Sequence, residues 1–374
     1  MFVLKRLAIL FTLILGSYSF ACYNDSDTYL TELRDNLDVT NAIIGRFTLY
    51  PSVYYQKRIE IQSEILKKDP NNLDAYDNIS VAYDRIGDSA NAMKWITEKR
   101  KHLGTNPGMH LYSTEANEGT FLIVRWIRGH KTGDVTDAVA AEKHIAKALE
   151  INPDAHFGRE FAQLASIRAM IQCADWDDWM PHFTDALISV ANKEKLDRRK
   201  LRYGICGMMV LGAAWNMPMM IQAIGKLVPE ETQIAKLCNQ KIAFMLRDDQ
   251  GKLASIRERF KLIDVSQENI EHFMDDQKIL ELLDNGEQFQ SKRQDWVRTQ
   301  IQAGKHPDTS DDFWNGFSDV PEVPANSIAT VTFWSRLVTW AKNALFSGVC
   351  CFAFPFLAVY GIIQARRKRK SIGL

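Results

Sequence analysis

The sequence predicts an all-α chain: an α-solenoid of stacked helical hairpins that ends in one C-terminal transmembrane helix. Three observations predict it. Between the two ends, apolar residues recur at three- and four-residue spacing, and runs of alternating polarity are absent. Prolines close successive helical segments at Pro70, Pro107 and Pro153. The twenty residues from Ala344 to Ile363 carry no charge.

Composition limits the function classes. Of 374 residues, 46% are hydrophobic, which excludes a wholly disordered chain. The 46 Lys and Arg are balanced by 46 Asp and Glu. That leaves no cationic surplus to neutralise phosphates, so no nucleic-acid partner is expected. Six cysteines, none spaced as C-x-x-C, are too few for a disulfide scaffold.

Residues 1–21 read as a signal peptide. Lys5 and Arg6 form its positive region and Leu7 to Gly16 its apolar run, with the small residues Ser19 and Ala21 at the cleavage positions. Cys22 follows the cut, with Ser19 standing where lipoprotein signals carry an aliphatic residue. At the other end, a helix over residues 344–364 reaches about 30 Å, the thickness of the hydrocarbon core. Pro355 is tolerated there. Trp334 and Trp340 lie upstream, where aromatic belts meet the headgroups. Arg366, Arg367, Lys368, Arg369 and Lys370 follow, and they fix the basic tail, residues 365–374, as cytoplasmic. The expected topology is single-pass, with the large domain outside the cytoplasm and a bacterial inner membrane as the default compartment.

Between the ends, the informative stretch is Leu73 to Leu103. Tyr76, Ile79, Ser80 and Tyr83 share one helical face, Gly87-Asp88 breaks the helix, and Ala92, Trp95, Ile96 and Lys99 start a second face. This run resembles the tetratricopeptide repeat. Tyr76 stands at that family's first aromatic position, Ile79-Ser80 at its Leu-Gly pair, Tyr83 at the next aromatic position, Gly87 at the turn and Ala92 at the small residue of the second helix. Two positions depart from the pattern: Ser80 replaces Gly, and Lys99 stands where a small Ala is usual. Flanking copies are irregular. Tyr55 to Pro70 reads as a closing helix, basic at Lys67-Lys68. Asn117 and Gly119 fall at the columns of Asn78 and Ser80, and Ala141, Ile145, Ala148 and Pro153 complete that copy. The array is recognisable over about residues 39–170, within a domain spanning 22–170.

Residues 171–303 keep helical periodicity without the signature. They read as diverged repeats or a helical bundle, with Leu201 to Leu227 broken near Asn216-Met217-Pro218, then Gln233 to Leu246, Lys252 to Ile263, Ile270 to Leu283 and Glu287 to Gln302. Residues 304–343, with Pro307, Pro321 and Pro324, read as a linker and juxtamembrane segment.

Candidate chemistry is sparse. Asp175, Asp177 and Asp178 lack the Gly and distal Glu of a calcium loop and read as a solvated turn. His156, Arg159 and Glu160 stand where a repeat helix begins, which points to capping and salt pairing. His144 and Lys147 read as a surface face. Cys173, Cys206 and Cys238 read as small buried apolar residues. There is no H-E-x-x-H, G-x-S-x-G or Walker motif. The expectation is therefore no catalysis, no cofactor and no metal.

The repeat resemblance implies a concave groove lined by the first helix of each pair, a surface that holds segments of other proteins. On the family pattern Asp77, Asn78, Val81, Asp84 and Arg85 face that groove from one repeat, and Asn117 and Thr120 from the next. The implied role is a membrane-tethered scaffold docking a protein partner. Its rivals are a structural subunit of a cell-envelope complex and an enzyme with a site within 171–300.

Overall fold

A computed structural model of the chain describes residues 24–25, 38–153, 158–212, 214–246 and 277–317. Among the described residues every regular element is helical and no strand occurs, in agreement with the all-α expectation. None of these helices is long and apolar enough to cross a membrane. The predicted signal peptide, the helix predicted over Lys252 to Ile263 and the predicted transmembrane helix lie outside the described residues.

The first helix, α1 (Val39–Ile44), is capped by the Asp38 carboxylate and ends at Gly45, whose φ of 89° suits glycine. Helix α2 (Ser52–Lys68) starts after Pro51 and carries Lys67 and Lys68 in its last turn, facing the negative end of its dipole. The Asn72 side chain accepts from the Ala75 N–H and starts α3 (Leu73–Arg85), while Asp88 does the same for Asn91 in α4 (Ser89–His102). Between them Gly87 takes φ 93°, as the turn requires. There follow α5 (Met109–Gly129), α6 (Thr136–Ile151), α7 (Arg159–Gln172), α8 (Met180–Lys193), α9 (Arg198–Leu211), α10 (Pro218–Leu227), α11 (Thr232–Leu246) and α12 (Gln277–Gln302). The break at Met217-Pro218 expected from sequence falls between a short 3-10 turn and α10.

Sequence neighbours pair through the columns read from the chain. Tyr76 and Ile79 bury against Leu66 and Ala75, with Tyr83 and Trp95 packed alongside. Val81, Ala92, Ile96, Phe121 and Val124 form the next cluster, joining α3, α4 and α5. At Gly119 a Cβ would lie 2.8 Å from Ile145 Cδ1, so the small residue is what lets α5 approach α6.

The array does not stay open. Helix α12 packs on α1, α2 and α11, and α1 packs on α9 and α11, so the last described helix ties to the first. The Gln290 amide donates to the carbonyls of Gly45, at 2.6 Å, and Phe47. Residues 304–317, read from sequence as the start of a linker, are instead part of this closure. Phe313 buries with Tyr54, Tyr55, Ala82 and Val297. His306 is fully buried and stacks on Tyr54 with ring centroids 4.5 Å apart. The aromatic residues among the polar ones make this segment adhere.

Between neighbouring helices, Arg100 of α4 and His144 of α6 clamp Glu115 of α5, at 3.0 and 2.6 Å. Burial alone would raise the Glu115 carboxyl, but these hydrogen bonds override it and hold the group at about 2, against an ordinary value of 4.5. A depressed acid stabilises the fold above its unfolded value, and that contribution is lost as pH falls from 4.5 towards about 2. We expect Glu115→Gln to cost about 1–2 kcal/mol at pH 7, after allowance for solvent screening, and almost nothing near pH 2. Urea unfolding followed by circular dichroism at both pH values checks this, and an equal cost at both would refute the assignment.

Candidate functional site

The inner face of the array is polar, buried and already in contact with a stretch of chain. From α5 the Asn117 carboxamide points inward. Its Nδ2 donates to Asp77 Oδ1 on α3 at 3.0 Å. Asp77 Oδ2 pairs with the Lys99 ammonium from α4 and accepts from Ser113 Oγ at 2.9 Å. Lys99 also donates to Ser113 Oγ at 2.8 Å. Burial pushes the Asp77 carboxyl above the usual carboxylate range, against the pull of Lys99 and the hydrogen bonds of Ser113 and Asn117. Lys99, which departs from the repeat pattern, is therefore the counter-charge that lets Asp77 sit inside.

The relay fixes which way Asn117 faces. A carboxylate accepts only, so the amide nitrogen must lie towards Asp77 and Oδ1 must find a donor elsewhere. That donor is the main-chain N–H of Asn24, at 2.8 Å. The same Nδ2 also donates to the Asn24 carbonyl at 3.1 Å. One side chain thus engages both main-chain groups of one residue, the exchange that opposed residues make in an antiparallel ladder.

The next residue, Asp25, meets Arg58 of α2. Arg58 Nη1 lies 3.4 Å from Asp25 Oδ2, while Nη2 lies 2.6 Å from Asp308 Oδ1 and Nε 3.0 Å from Asp308 Oδ2. Tyr54 accepts from Arg58 Nη2 at 2.5 Å, and Gln62 donates to Asp308 at 2.8 Å. Burial pushes the Asp308 carboxyl up, but the Arg58 guanidinium, with His306 and Gln62 beside it, holds it below the usual carboxylate range. Asn24, Asp25 and Arg58 are all buried.

The seven positions read from sequence as groove-facing divide. Asp77 and Asn117 are brought together at this site. Thr120 lies deep inside and accepts from Gln163 at 3.2 Å. Asn78 is buried on the same helix as Asp77. The other three serve the fold. Val81 belongs to the apolar cluster between helices. Asp84, fully buried, pairs with Arg128 at 3.0 Å. Arg85 donates to the carbonyls of Gly212 and Leu211 at 2.8 and 2.7 Å, capping the end of α9. Six of the seven are buried and Arg85 is partly so, and they do not form a solvated face at which alanine would cost almost nothing.

Other candidates settle into structure. Arg159 and Glu160 pair with each other at 2.9 Å, and the Tyr112 hydroxyl donates to Glu160 at 2.8 Å; His156 lies outside the described residues. Asp177 accepts from Thr132, so the acidic turn packs on the loop before α6. His144 engages Glu115, and Lys147 pairs with Glu150. Asp74, Asp77 and His110 lie close enough to face one cation, but Lys99 already neutralises Asp77. Burial pushes the Cys173 thiol up to about 11 and Cys206 up to about 12, and raises Cys238 as well, which keeps these sulfurs from the thiolate form at neutral pH.

Sequence reasoning missed Arg58, Asp308 and the Asn24–Asp25 segment. The stripe Tyr54, Arg58, Gln62, at four-residue spacing on a helix of otherwise ordinary amphipathicity, was the available signal. Comparison with family models, with curated proteins and with solved structures gives no match to this chain, so the chemistry of the site is read from its own geometry.

Proposed function

We propose that the chain is a single-pass, membrane-tethered docking protein of the tetratricopeptide-repeat type. Its helical array lies on the non-cytoplasmic side of a bacterial inner membrane, and its basic tail lies in the cytoplasm. The observation that carries the reading is Asn117 bracketing the main chain of Asn24 on the inner face. A side chain that spends both hydrogen-bonding groups on one residue's main chain is suited to holding polypeptide. The tether rests on the uncharged run Ala344 to Ile363 and the five charges after it.

Two measurements test this. Affinity capture from detergent-solubilised native membranes should recover a partner with the wild-type chain and lose it with Asn117→Ala. Retention at unchanged yield would place docking elsewhere. A cysteine introduced at Ser371 should stay unlabelled by a membrane-impermeant reagent in intact cells, and labelling there would invert the topology.

A further inference from the structure

We propose that the corner where the α7–α8 turn meets the α5–α6 loop is a second docking site, at which Trp176, flanked by Asp175 and Asp177, receives an arginine side chain from a protein partner. The site shares no residue with the inner face, and its test does not depend on a partner there.

Trp176 is 52% exposed, the most open of the large apolar side chains among the described residues. Three positions on, Trp179 is 2% exposed and packs on Trp126 and Phe183, with ring centroids 5.3 and 6.2 Å away. A single exposed apolar residue is ordinary. What sets Trp176 apart is how firmly it is held and what surrounds it.

The turn is fixed to the neighbouring loop at three points. The Trp176 carbonyl accepts from His130 Nε2 at 3.2 Å, the Ala174 carbonyl accepts from the Gly133 N–H at 2.8 Å, and Asp177 accepts from the Thr132 hydroxyl. His130 in turn stands edge-on to Trp126 and Trp179, at 4.7 and 6.4 Å. The Trp176 indole lies against the His182 ring, with centroids 3.8 Å apart. An anchor ordered in advance loses little freedom on binding, and such tryptophans are the residues that dominate interfaces.

The surroundings set the partner's charge. Residues 130–134 and 174–179 carry four carboxylates, on Asp134, Asp175, Asp177 and Asp178, against one lysine, Lys131. Asp134, Asp175 and Asp177 are exposed. The whole chain is neutral, so this is a local acidic excess that favours a cationic partner. The ring sets the partner's shape. An indole face attracts cations, and a guanidinium can lie flat on it while its N–H groups reach a carboxylate beside the ring. An ammonium has no such plane, which singles out arginine over lysine.

Fluorescence anisotropy on the full chain in neutral detergent tests this, with a labelled peptide of four Arg-Gly repeats. A matching peptide with citrulline for arginine keeps the shape without the charge, and it should bind at least about tenfold more weakly. Trp176→Leu keeps apolar bulk without the ring and should weaken the arginine peptide about five- to thirtyfold. The pair Asp175→Asn with Asp177→Asn, which leaves an oxygen to accept from Thr132, should weaken it about threefold or more. Should Trp176→Leu misfold by circular dichroism, the paired variant carries the test alone. Equal binding of the citrulline peptide, unchanged binding to the folded variants, or no binding at roughly 1 mM overturns the proposal. Displacement of the arginine peptide by an equimolar amount of phosphocholine would assign the corner to a lipid headgroup and overturn it as well.

Discussion

Replacing Arg58 with Met should destabilise the full chain by about 3–5 kcal/mol, the range for removing one member of a buried ion pair. The side chains of Arg58, Asp308 and Asp25 are 1%, 7% and 4% exposed, so the loss takes the guanidinium away from two carboxylates in a low-dielectric interior. They must take up protons or draw water inward, and either outcome loosens the contact between α2 and residues 304–317. The cost belongs to the orphaned acids more than to the arginine. The double variant Arg58→Met with Asp308→Asn should therefore recover about half of the loss, because one abandoned charge has gone. Urea unfolding of the wild type, both single variants and the double variant decides the matter. Strict additivity, or a cost below about 1 kcal/mol for Arg58→Met, would show that the three groups are solvated and not a buried node.

The same residues show how far the sequence could be read. Helices α3 and α4 were legible because their signals are local: Pro70 before, Gly87-Asp88 between, and Tyr76, Ile79 and Tyr83 at spacings that only a helix brings to one face. Asp77 and Asn117 were legible as residues of one face, but the column alignment set Asn117 against Asn78, and the contact made is with Asp77. Their exposure was not legible. It followed from assuming an open array, whereas α12 closes on α1 and α2 through Gln290, Gly45 and Phe47, residues separated by 243 positions or more. No local pattern encodes such a pairing. Lys99 shows the reverse case. Against a family column it looked like a flaw, and inside the fold it is the charge that keeps Asp77 buried.

The closure itself is testable at one atom. Gly286 of α12 lies against the carbonyl end of α1, and a Cβ there would stand 1.9 Å from Ile44 O and 2.8 Å from Ile44 C. No rotamer relieves this clash, because the atoms it meets are main chain. Alanine also favours a helix over glycine by about 1 kcal/mol, so by propensity alone the substitution in α12 should stabilise. The steric term opposes it and is larger: forcing a methyl into a close-packed contact costs about 1–3 kcal/mol, and more where main chain must move. Gly286→Ala should therefore destabilise by about 2–3 kcal/mol. The damage should also be local. Separating α12 from α1 pulls Gln290 off the carbonyls of Gly45 and Phe47, so amides of α1 and of the mid-part of α12 should lose hydrogen-exchange protection, while those of α3 to α6 keep theirs. Stabilisation by Gly286→Ala would mean that α12 and α1 do not touch, and that the array is the open groove its repeat spacing predicts.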